Sequence, residues 1–236
     1  ILNQNENLKF LSTLQEKIQA LEKIGIDYLY IINFSSRFSK MKAEDFIKNI
    51  LENKLRTDCL VIGYNHHFGY KREGNTKYLK RHINELNFNL ETIPKQQINQ
   101  SVISSTKIRS YLSEGKIHLS NQLLGREYSL SGTVVKGDGI GKKINFPTAN
   151  ISLDEPKKII PKNGVYAAKI LIQRKVYFGM VNIGYRPTRL SKKKTIEINI
   201  FEFNSSIYKK KISLKFFKRL REEIKFKDLD ALKKQL

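Results

Sequence analysis

The sequence predicts an α/β domain followed by a small antiparallel β-barrel. In the first half, helical segments with apolar residues at three- and four-residue spacing alternate with short apolar runs, which is typical of a parallel sheet covered by helices. Beyond Gly125, short β-branched and aromatic runs follow one another without helices between them, which favours a barrel. The change places the domain boundary near residues 122–127, and we divide the chain into residues 1–123 and 124–236.

The first half contains four predicted helices and three predicted extended segments. The helices are TLQEKIQALEKI, which Gly25 terminates, MKAEDFIKNILENKL, TKYLKRHINEL and SSTKIRSYLSEGK. In the last of them Ser105 is the expected N-cap and Gly115 the expected C-terminal stop. The extended segments are DYLYIINF, which we expect to be a buried strand, CLVIGY and FNLETIP.

The barrel is predicted from five strands and is followed by a final helix. The strands are YSLSGTVV, GVYAAKILI, KVYFGMVNI, TIEINIFEF and KKISLKFF, and the helix is KDLDALKKQL. Because side chains alternate between the two faces of a strand, the fourth strand should present isoleucines on one face and a carboxylate with aromatic rings on the other. The first face holds Ile196, Ile198 and Ile200, and the second holds Glu197, Asn199, Phe201 and Phe203.

The amino-acid composition restricts the partners and the cellular location that we expect for this protein. With 44 Lys and Arg against 22 Asp and Glu, the net charge is +22, which favours polyanions or nucleotides as partners. The same charge is also expected if an AT-rich genome has added lysines to solvated faces. Cys59 is the only cysteine, which suits a reducing cytoplasm, and no apolar run reaches the roughly 18 residues of a membrane helix. We expect a cytoplasmic monomer or weak oligomer without a membrane partner.

A glycine-rich stretch, GDGIGKKINFPTANI, is the strongest candidate for a binding site. Exposed backbone N–H groups and a neighbouring cation suit phosphate oxygens, and neutral side-chain oxygens beside such a loop suit Mg²⁺. The residues concerned are Gly137, Gly139, Gly141, Lys142, Pro147, Thr148 and Asn150. From the residues alone, a structural turn and a nucleotide site both remain open.

These motifs resemble those of a known enzyme family. The run GTVVKGDGIGKKINFPTANI resembles the signature of bacterial riboflavin kinases, and NGVYAAKI, GMVNIGYRPT, TIEINIFEF and LREEIKF continue the resemblance in order. In the first half, VIGYNHHFGYKREGN and ISSTKIRSYLSEG resemble the adenylyltransferase domain of bifunctional riboflavin kinase/FAD synthetases. The resemblance covers essentially the whole chain. It implies a Rossmann-like nucleotidyltransferase domain before a riboflavin kinase barrel, with Mg²⁺-ATP, riboflavin, FMN and FAD as ligands.

The resemblance also implies roles for residues of the barrel. Thr148 and Asn150 fall on the positions that hold Mg²⁺-ATP, and Glu197 falls on the catalytic glutamate. As a general base, Glu197 would assist attack of the riboflavin 5′-hydroxyl on the γ-phosphate of ATP. From the sequence alone, a solvent-facing strand residue is the favoured interpretation of Glu197, because a glutamate in a strand usually faces solvent. The resemblance places Asn182, Arg186 and Thr188 near the bound flavin, whereas the residues alone favour a structural turn. Arg221 faces the flavin or simply lies on the surface of a helix.

In the first domain, the resemblance implies a flavin and nucleotide cleft at Gly63, Asn65 and Phe68, although Asn65 stands where the family usually has Asp. The helix N-terminus at Ser105, Thr106 and Arg109 would bind phosphate, or is simply a well-capped helix. Adjacent residues on a strand face opposite ways, so His66 and His67 are not expected to share a metal.

The family's His-x-Gly-His motif, which grips ATP phosphates, is not found in the sequence. The matching region would precede Ile1, so we expect a whole kinase module and an incomplete adenylyltransferase module. The alternative function is a basic β-barrel that binds nucleic acid. The lysine clusters SKKKT and YKKKI belong to a diffuse pattern of basic residues, which does not favour a nucleic-acid platform. We therefore favour a flavin-nucleotide enzyme, which acts on small molecules and not on nucleic acid.

Overall fold

The computed structural model describes residues 9–98, 101–137, 141, 146–187 and 192–224, with the side chains at 186, 187, 192 and 193 excepted. The described residues form two compact units. One comprises those within 21–102, and the other those within 7–20 and 103–236. Residues 103–123 therefore belong to the same unit as the barrel. The division at residues 123 and 124 stays a prediction.

The first unit is built around a short parallel sheet. Strand β1 (Cys59–Gly63) pairs in parallel with β4 (Asn89–Ile93), in the segments that the sequence marks as extended. The other elements are α2 (Ser36–Ser39), α3 (Ala43–Phe46) with its π-helical continuation (Ile47–Glu52), α4 (Thr76–Arg81), and 3₁₀ turns at Tyr70–Arg72 and Ile83–Glu85. Two small hairpins pair β2 (His67–Phe68) with β3 (Gly74–Asn75) and β5 (Gln97–Ile98) with β6 (Ser101–Val102). The core comprises Ile47, Leu51, Ile62, Leu79 and Phe88.

The prediction of a buried strand at DYLYIINF is wrong. Residues 27–34 form no strand in the structure, and the side chain of Tyr28 is 94% exposed. An apolar run prefers the extended conformation, but it becomes a strand only where a neighbouring backbone accepts its hydrogen bonds. Within the described ranges, no strand pairs with this segment.

The second unit carries α1 (Leu14–Ile24) in part, α5 (Ser105–Glu114) and α6 (Ile117–Leu124). The N-cap of α5 is Ser104 and not Ser105, because the backbone of Ser104 is still extended and its Oγ accepts a hydrogen bond from the Lys107 amide at 3.2 Å. Two adjacent serines make either residue a possible cap, so the sequence located this helix start to within one position. Gly115 ends α5 in the left-handed conformation, as predicted.

Six antiparallel strands close into a barrel, which confirms the predicted second fold. They are β7 (Tyr128–Val135), β8 (Ala149–Leu153), β9 (Gly164–Ile172), β10 (Lys175–Pro187), β11 (Lys192–Ile200) and β12 (Lys211–Arg221), in the spatial order β10-β11-β8-β7-β12-β9. The sequence analysis missed β8, which begins inside the Pro-Thr-Ala-Asn motif. The expected final helix KDLDALKKQL lies outside the described residues.

The alternation predicted for β11 is correct within the strand and fails beyond it. Ile196, Ile198 and Ile200 are buried, as expected for the inward face. The strand ends at Ile200, however, so Phe201 and Phe203 lie in the following turn and not on the face of Glu197. In that turn Glu202 adopts φ 52°, so strand alternation no longer applies.

A buried ion pair fastens residues 9–16 to the barrel. Lys158 donates hydrogen bonds to the carboxylate of Glu16 and, at 2.7 Å, to the carbonyl oxygen of Leu11. The two charged side chains are only 2% and 8% exposed. Burial lowers the pKa of Lys158, and the hydrogen bond that it donates to Glu16 opposes that effect.

Candidate functional site

Three polar side chains line up across neighbouring strands of the barrel. Glu197 on β11 is directly opposite Asn182 on β10 and Asn150 on β8. Residues that face each other across an antiparallel pair share one face, so the three side chains form a row. Since Ile196 and Ile198 point into the core, the row lies on the outer face, where all three side chains are partly buried.

The two described glycines of the glycine-rich stretch contact the polar residues that follow it. A Cβ atom at Gly137 would lie 2.1 Å from the side-chain nitrogen of Asn150. At Gly141 it would lie 2.3 Å from the carbonyl oxygen of Phe146 and 3.1 Å from Oγ1 of Thr148. A side chain at either position would force these neighbours to move. Glycine therefore allows the backbone at residues 137 and 141 to lie directly against Asn150 and Thr148.

A pocket of about 270 Å³ opens beside this row. Its walls combine the glycine loop and the Pro-Thr motif with apolar and aromatic side chains: Val134, Val135, Lys136, Gly137, Pro147, Thr148, Ala149, Ile198, Ile200, Phe203, Ser205, Ile207 and Tyr208. The volume suits a flat heterocycle, and the polar lining comes both from Lys136 and Thr148 and from Ser205 and Tyr208. Sequence reasoning identified Gly137, Pro147 and Thr148 but missed Tyr208, which precedes a lysine-rich run with no motif of its own.

Glu197 lies at the border of the pocket. Ile198, the next residue of β11, lines the pocket, whereas Glu197 faces outward in the row with Asn150. A ligand that fills the pocket and reaches over Thr148 would therefore bring its polar end to Asn150 and Glu197. Such an arrangement can hold an anionic group beside a carboxylate that accepts a proton.

The structure describes only part of the predicted flavin set. Arg221 ends β12 and belongs to the same row through Val165, which pairs with both Asn182 and Arg221. Its guanidinium donates a hydrogen bond to the carbonyl oxygen of Glu222 at 3.2 Å. Arg186 lies on β10, and only its backbone is described. Gly139, Lys142 and Thr188 lie outside the described residues.

Thr148 and Asn150 offer a hydroxyl and an amide oxygen as possible metal ligands. In the part of the chain that the structure describes, no group of three or more His, Cys, Asp or Glu could hold a metal ion. Two neutral oxygens suit Mg²⁺, which usually keeps several waters and binds mainly through substrate phosphates. The donor set therefore fits a metal that arrives with a nucleotide.

In the first unit, the predicted cleft residues lie at the end of β1 and just after it. Gly63 ends β1, Asn65 lies in the following turn, and Phe68 lies in β2. The ring of Phe68 covers Gly74, whose Cβ would lie 2.6 Å from it, and packs 5.5 Å from the ring of Phe46. These contacts give Phe68 a packing role.

In the second unit, three predicted donors share the N-terminal half of α5. Ser105 and Thr106 are exposed in its first turn. The Nε of Arg109 donates a hydrogen bond to the carbonyl oxygen of Lys9 at 3.1 Å. The unsatisfied N–H groups of a helix start favour anions, and the arginine adds a positive charge.

Two family models, each described by a different enzyme activity, match different parts of the chain. A model described as riboflavin kinase matches residues 124–236, and one described as FAD synthetase matches residues 1–107.

Two bacterial proteins with the same name match almost the whole chain. A bifunctional riboflavin kinase/FMN adenylyltransferase from Buchnera aphidicola subsp. Schizaphis graminum is 42% identical, over 100% of this chain and 76% of that protein. The protein of the same name from Listeria monocytogenes is 35% identical, over 99% of this chain and 74% of its own length.

Among solved structures, a Streptococcus pneumoniae protein described as a macrolide-efflux protein superposes with a TM-score of 0.86. Its sequence is 29% identical, and the match covers 95% of this chain and 72% of that one. The similarity shows that the two chains share a fold. Across the described helices of the present chain, none has the length and apolar character needed to span a membrane.

Proposed function

Because this chain belongs to the family of bacterial bifunctional riboflavin kinase/FMN adenylyltransferases, we propose that it makes flavin nucleotides in two ATP-dependent steps. Residues 124–236 phosphorylate riboflavin to FMN, and the N-terminal part, proposed to extend to residue 123, adenylylates FMN to FAD. The substrates are small molecules, and the proposed location is the cytoplasm. Both family models and the relatives' names support this reading and not a nucleic-acid-binding barrel.

The strand register is the observation that carries the kinase proposal. It aligns Asn150, Glu197 and Asn182 in one row beside the pocket that Thr148 lines. Phosphoryl transfer requires little covalent chemistry from a protein, so holding the nucleotide and the acceptor alcohol in line supplies most of the catalysis. A carboxylate at the border of a nucleotide pocket can accept the proton of that alcohol as the bond to phosphorus forms.

We assign the pocket to the nucleoside end of ATP and the glycine loop to its phosphates. Phe203, Ile207 and Tyr208 supply the apolar and aromatic contacts that a purine ring prefers. Thr148 and Asn150 would hold Mg²⁺, which neutralises phosphate charge when it is bound. Gly139 and Lys142 are proposed to complete the loop. Asn182, Arg186, Thr188 and Arg221 are proposed for the flavin side.

For the second step, we propose that Ser105, Thr106 and Arg109 bind phosphate groups of ATP or FMN. The exposed start of α5 supports this assignment, because backbone N–H groups and a guanidinium stabilise anions. Gly63 and Asn65 are proposed for the flavin and nucleotide cleft. We also propose Phe68 for that cleft, where its packing against Gly74 would fix the loop.

The direct test is incubation of the purified chain with riboflavin, ATP and Mg²⁺, followed by chromatographic separation of riboflavin, FMN and FAD. We expect riboflavin to be consumed and FMN to form. A parallel reaction that starts from FMN measures the adenylyl transfer by itself. If neither reaction yields product while the protein is folded, the proposed function is wrong.

Replacing Thr148 with Ala should raise the KM for Mg²⁺-ATP about tenfold, the loss expected for one strong polar contact. Riboflavin binding without nucleotide, measured by flavin fluorescence quenching, should not change. Thr148→Ser, which keeps the hydroxyl, is the matched control and should stay close to the unmodified protein. If riboflavin titrations change as much as ATP titrations do, the assignment of Thr148 to the metal and nucleotide is mistaken.

Gly137→Ala should weaken nucleotide use through Asn150. The added methyl group would lie 2.1 Å from the Asn150 side chain, so this amide must move. Displacement of a positioning group by about 1 Å can cost up to about 10²-fold in rate. We therefore expect kcat/KM for ATP to fall by about 10-fold to 10²-fold while riboflavin binding alone is retained. An unchanged value would show that Asn150 tolerates displacement and is not needed to hold the nucleotide.

A further inference from the structure

Glu223, which lies in the LREEIKF motif but has been given no role above, is on the outer face of the barrel beside the proposed site. Its carboxylate covers Gly184 on β10 so closely that a Cβ atom at Gly184 would lie 2.0 Å from Oε1. Any side chain at position 184 would displace it. Glu223 as a residue is nevertheless exposed to solvent.

The carboxylate of Glu223 is held in place from the turn that precedes β9. The side-chain nitrogen of Asn163 donates a hydrogen bond to Oε2 of Glu223 at 3.2 Å. The carbonyl oxygen of Asn163 in turn accepts a hydrogen bond from Nη2 of Arg219 at 2.6 Å. These two bonds join the end of β12 to the turn. Oε1 of Glu223 lies over Gly184, on the outer face of β10.

The register fixes the position of this carboxylate relative to the proposed catalytic row. Gly184 is two residues beyond Asn182 on the same face of β10, which corresponds to about 7 Å along the strand. On β11, the nucleotide pocket lies toward Ile198 and Ile200, whereas Gly184 faces Thr195 on the other side of Glu197. Because in-line transfer needs the acceptor alcohol opposite the nucleotide, the acceptor lies on the Gly184 side.

We propose that Glu223 accepts hydrogen bonds from the secondary hydroxyl groups of the ribityl chain and so selects a polyol-bearing flavin. This inference rests on the proposed riboflavin kinase function. When the terminal hydroxyl is at Glu197, a five-carbon chain that runs along β10 brings its remaining hydroxyls toward Gly184. A carboxylate accepts hydrogen bonds only, which matches the donor capacity of the secondary hydroxyl groups.

The test compares two acceptor alcohols in steady-state kinetics of the purified chain. One is riboflavin, and the other is the analogue whose side chain is 5-hydroxypentyl, which keeps the terminal hydroxyl and lacks the three secondary ones. Glu223→Ala should raise the KM for riboflavin about tenfold, as expected for loss of a hydrogen bond to a charged group. The KM for the analogue and the KM for ATP should change by less than about twofold, because neither ligand has a hydroxyl group that is proposed to contact Glu223.

Glu222→Ala is the matched control, because it removes the adjacent carboxylate, which pairs with Lys162 at 3.3 Å. It should preserve the preference for riboflavin over the analogue. If Glu223→Ala changes both alcohols equally, or if both variants behave alike, Glu223 does not contact the ribityl hydroxyls. If the unmodified chain phosphorylates neither flavin, the proposed function itself fails. If the unmodified chain phosphorylates riboflavin and Glu223→Ala still prefers riboflavin over the analogue, only the role of Glu223 is overturned.

Discussion

Glu197→Gln should lower the rate of FMN formation by about 10²-fold or more while the barrel stays folded. The amide has nearly the same shape as the carboxylate, so the row with Asn150 and Asn182 is retained. It cannot accept the proton of the attacking hydroxyl, and general-base catalysis of this kind contributes roughly 10²–10⁴-fold. Because the change affects the chemical step, kcat should fall and the KM for either substrate should change little.

The rate is measured from FMN formed at saturating riboflavin and Mg²⁺-ATP, and the fold is checked by circular dichroism. Glu202→Gln is the matched control, since Glu202 is an exposed carboxylate in the turn directly after the same strand. It should retain full activity. Phosphorylation of riboflavin by Glu197→Gln at a near-normal rate would remove Glu197 from the mechanism.

The glycine-rich stretch shows how much of the site could be predicted from sequence. Glycine is needed where backbone must approach another group, and the structure places Gly137 against Asn150 and Gly141 against Thr148. The sequence thus identified the local contact. It did not identify β8, because a Pro-Thr-Ala-Asn segment has the composition of a loop, and Ala149 and Asn150 join a strand only through their neighbours β7 and β11.

The alignment of Glu197 with Asn150 and Asn182 could not be predicted for a related reason. Strand periodicity tells which residues share a face of one strand, but the register between strands depends on turns and packing that no single segment encodes. The position of Glu223 over Gly184 is a similar case. Gly184 lies within β10 and Glu223 follows the end of β12, and the two come together because β9 pairs with both strands.

Contacts between distant parts of the sequence were missed entirely. Glu16 lies on an amphipathic helix where a glutamate is expected to be solvated, and Lys158 lies 142 positions further along the chain in a lysine-rich segment. Neither residue carries a local sign of burial. In the structure each neutralises the other, which is the usual condition under which a charged side chain is buried.

Lys158→Met should therefore destabilise the barrel unit by about 3–5 kcal/mol, because it leaves the carboxylate of Glu16 buried without its cation. The methionine fills nearly the same volume, so the loss reports the unpaired charge and not a cavity. Urea denaturation followed by far-ultraviolet circular dichroism measures the free energy of unfolding. Lys162→Met is the matched control: its pair with Glu222 is 47% and 71% exposed, and the loss should stay below about 1 kcal/mol.

The double variant Glu16→Leu/Lys158→Met separates two quantities. One is the net contribution of the ion pair to the free energy of unfolding, and the other is the destabilisation caused by leaving one charge unpaired. Removing both charges also removes both desolvation penalties, and replacement of a buried ion pair by apolar side chains is often neutral or stabilising. The double variant should thus recover most of the stability that Lys158→Met loses. If instead it is as unstable as Lys158→Met, hydrogen bonds outside the ion pair order residues 9–16 and anchor them to the barrel: that of Lys158 to the Leu11 carbonyl, and those that Glu16 accepts from Thr13 and Ser129.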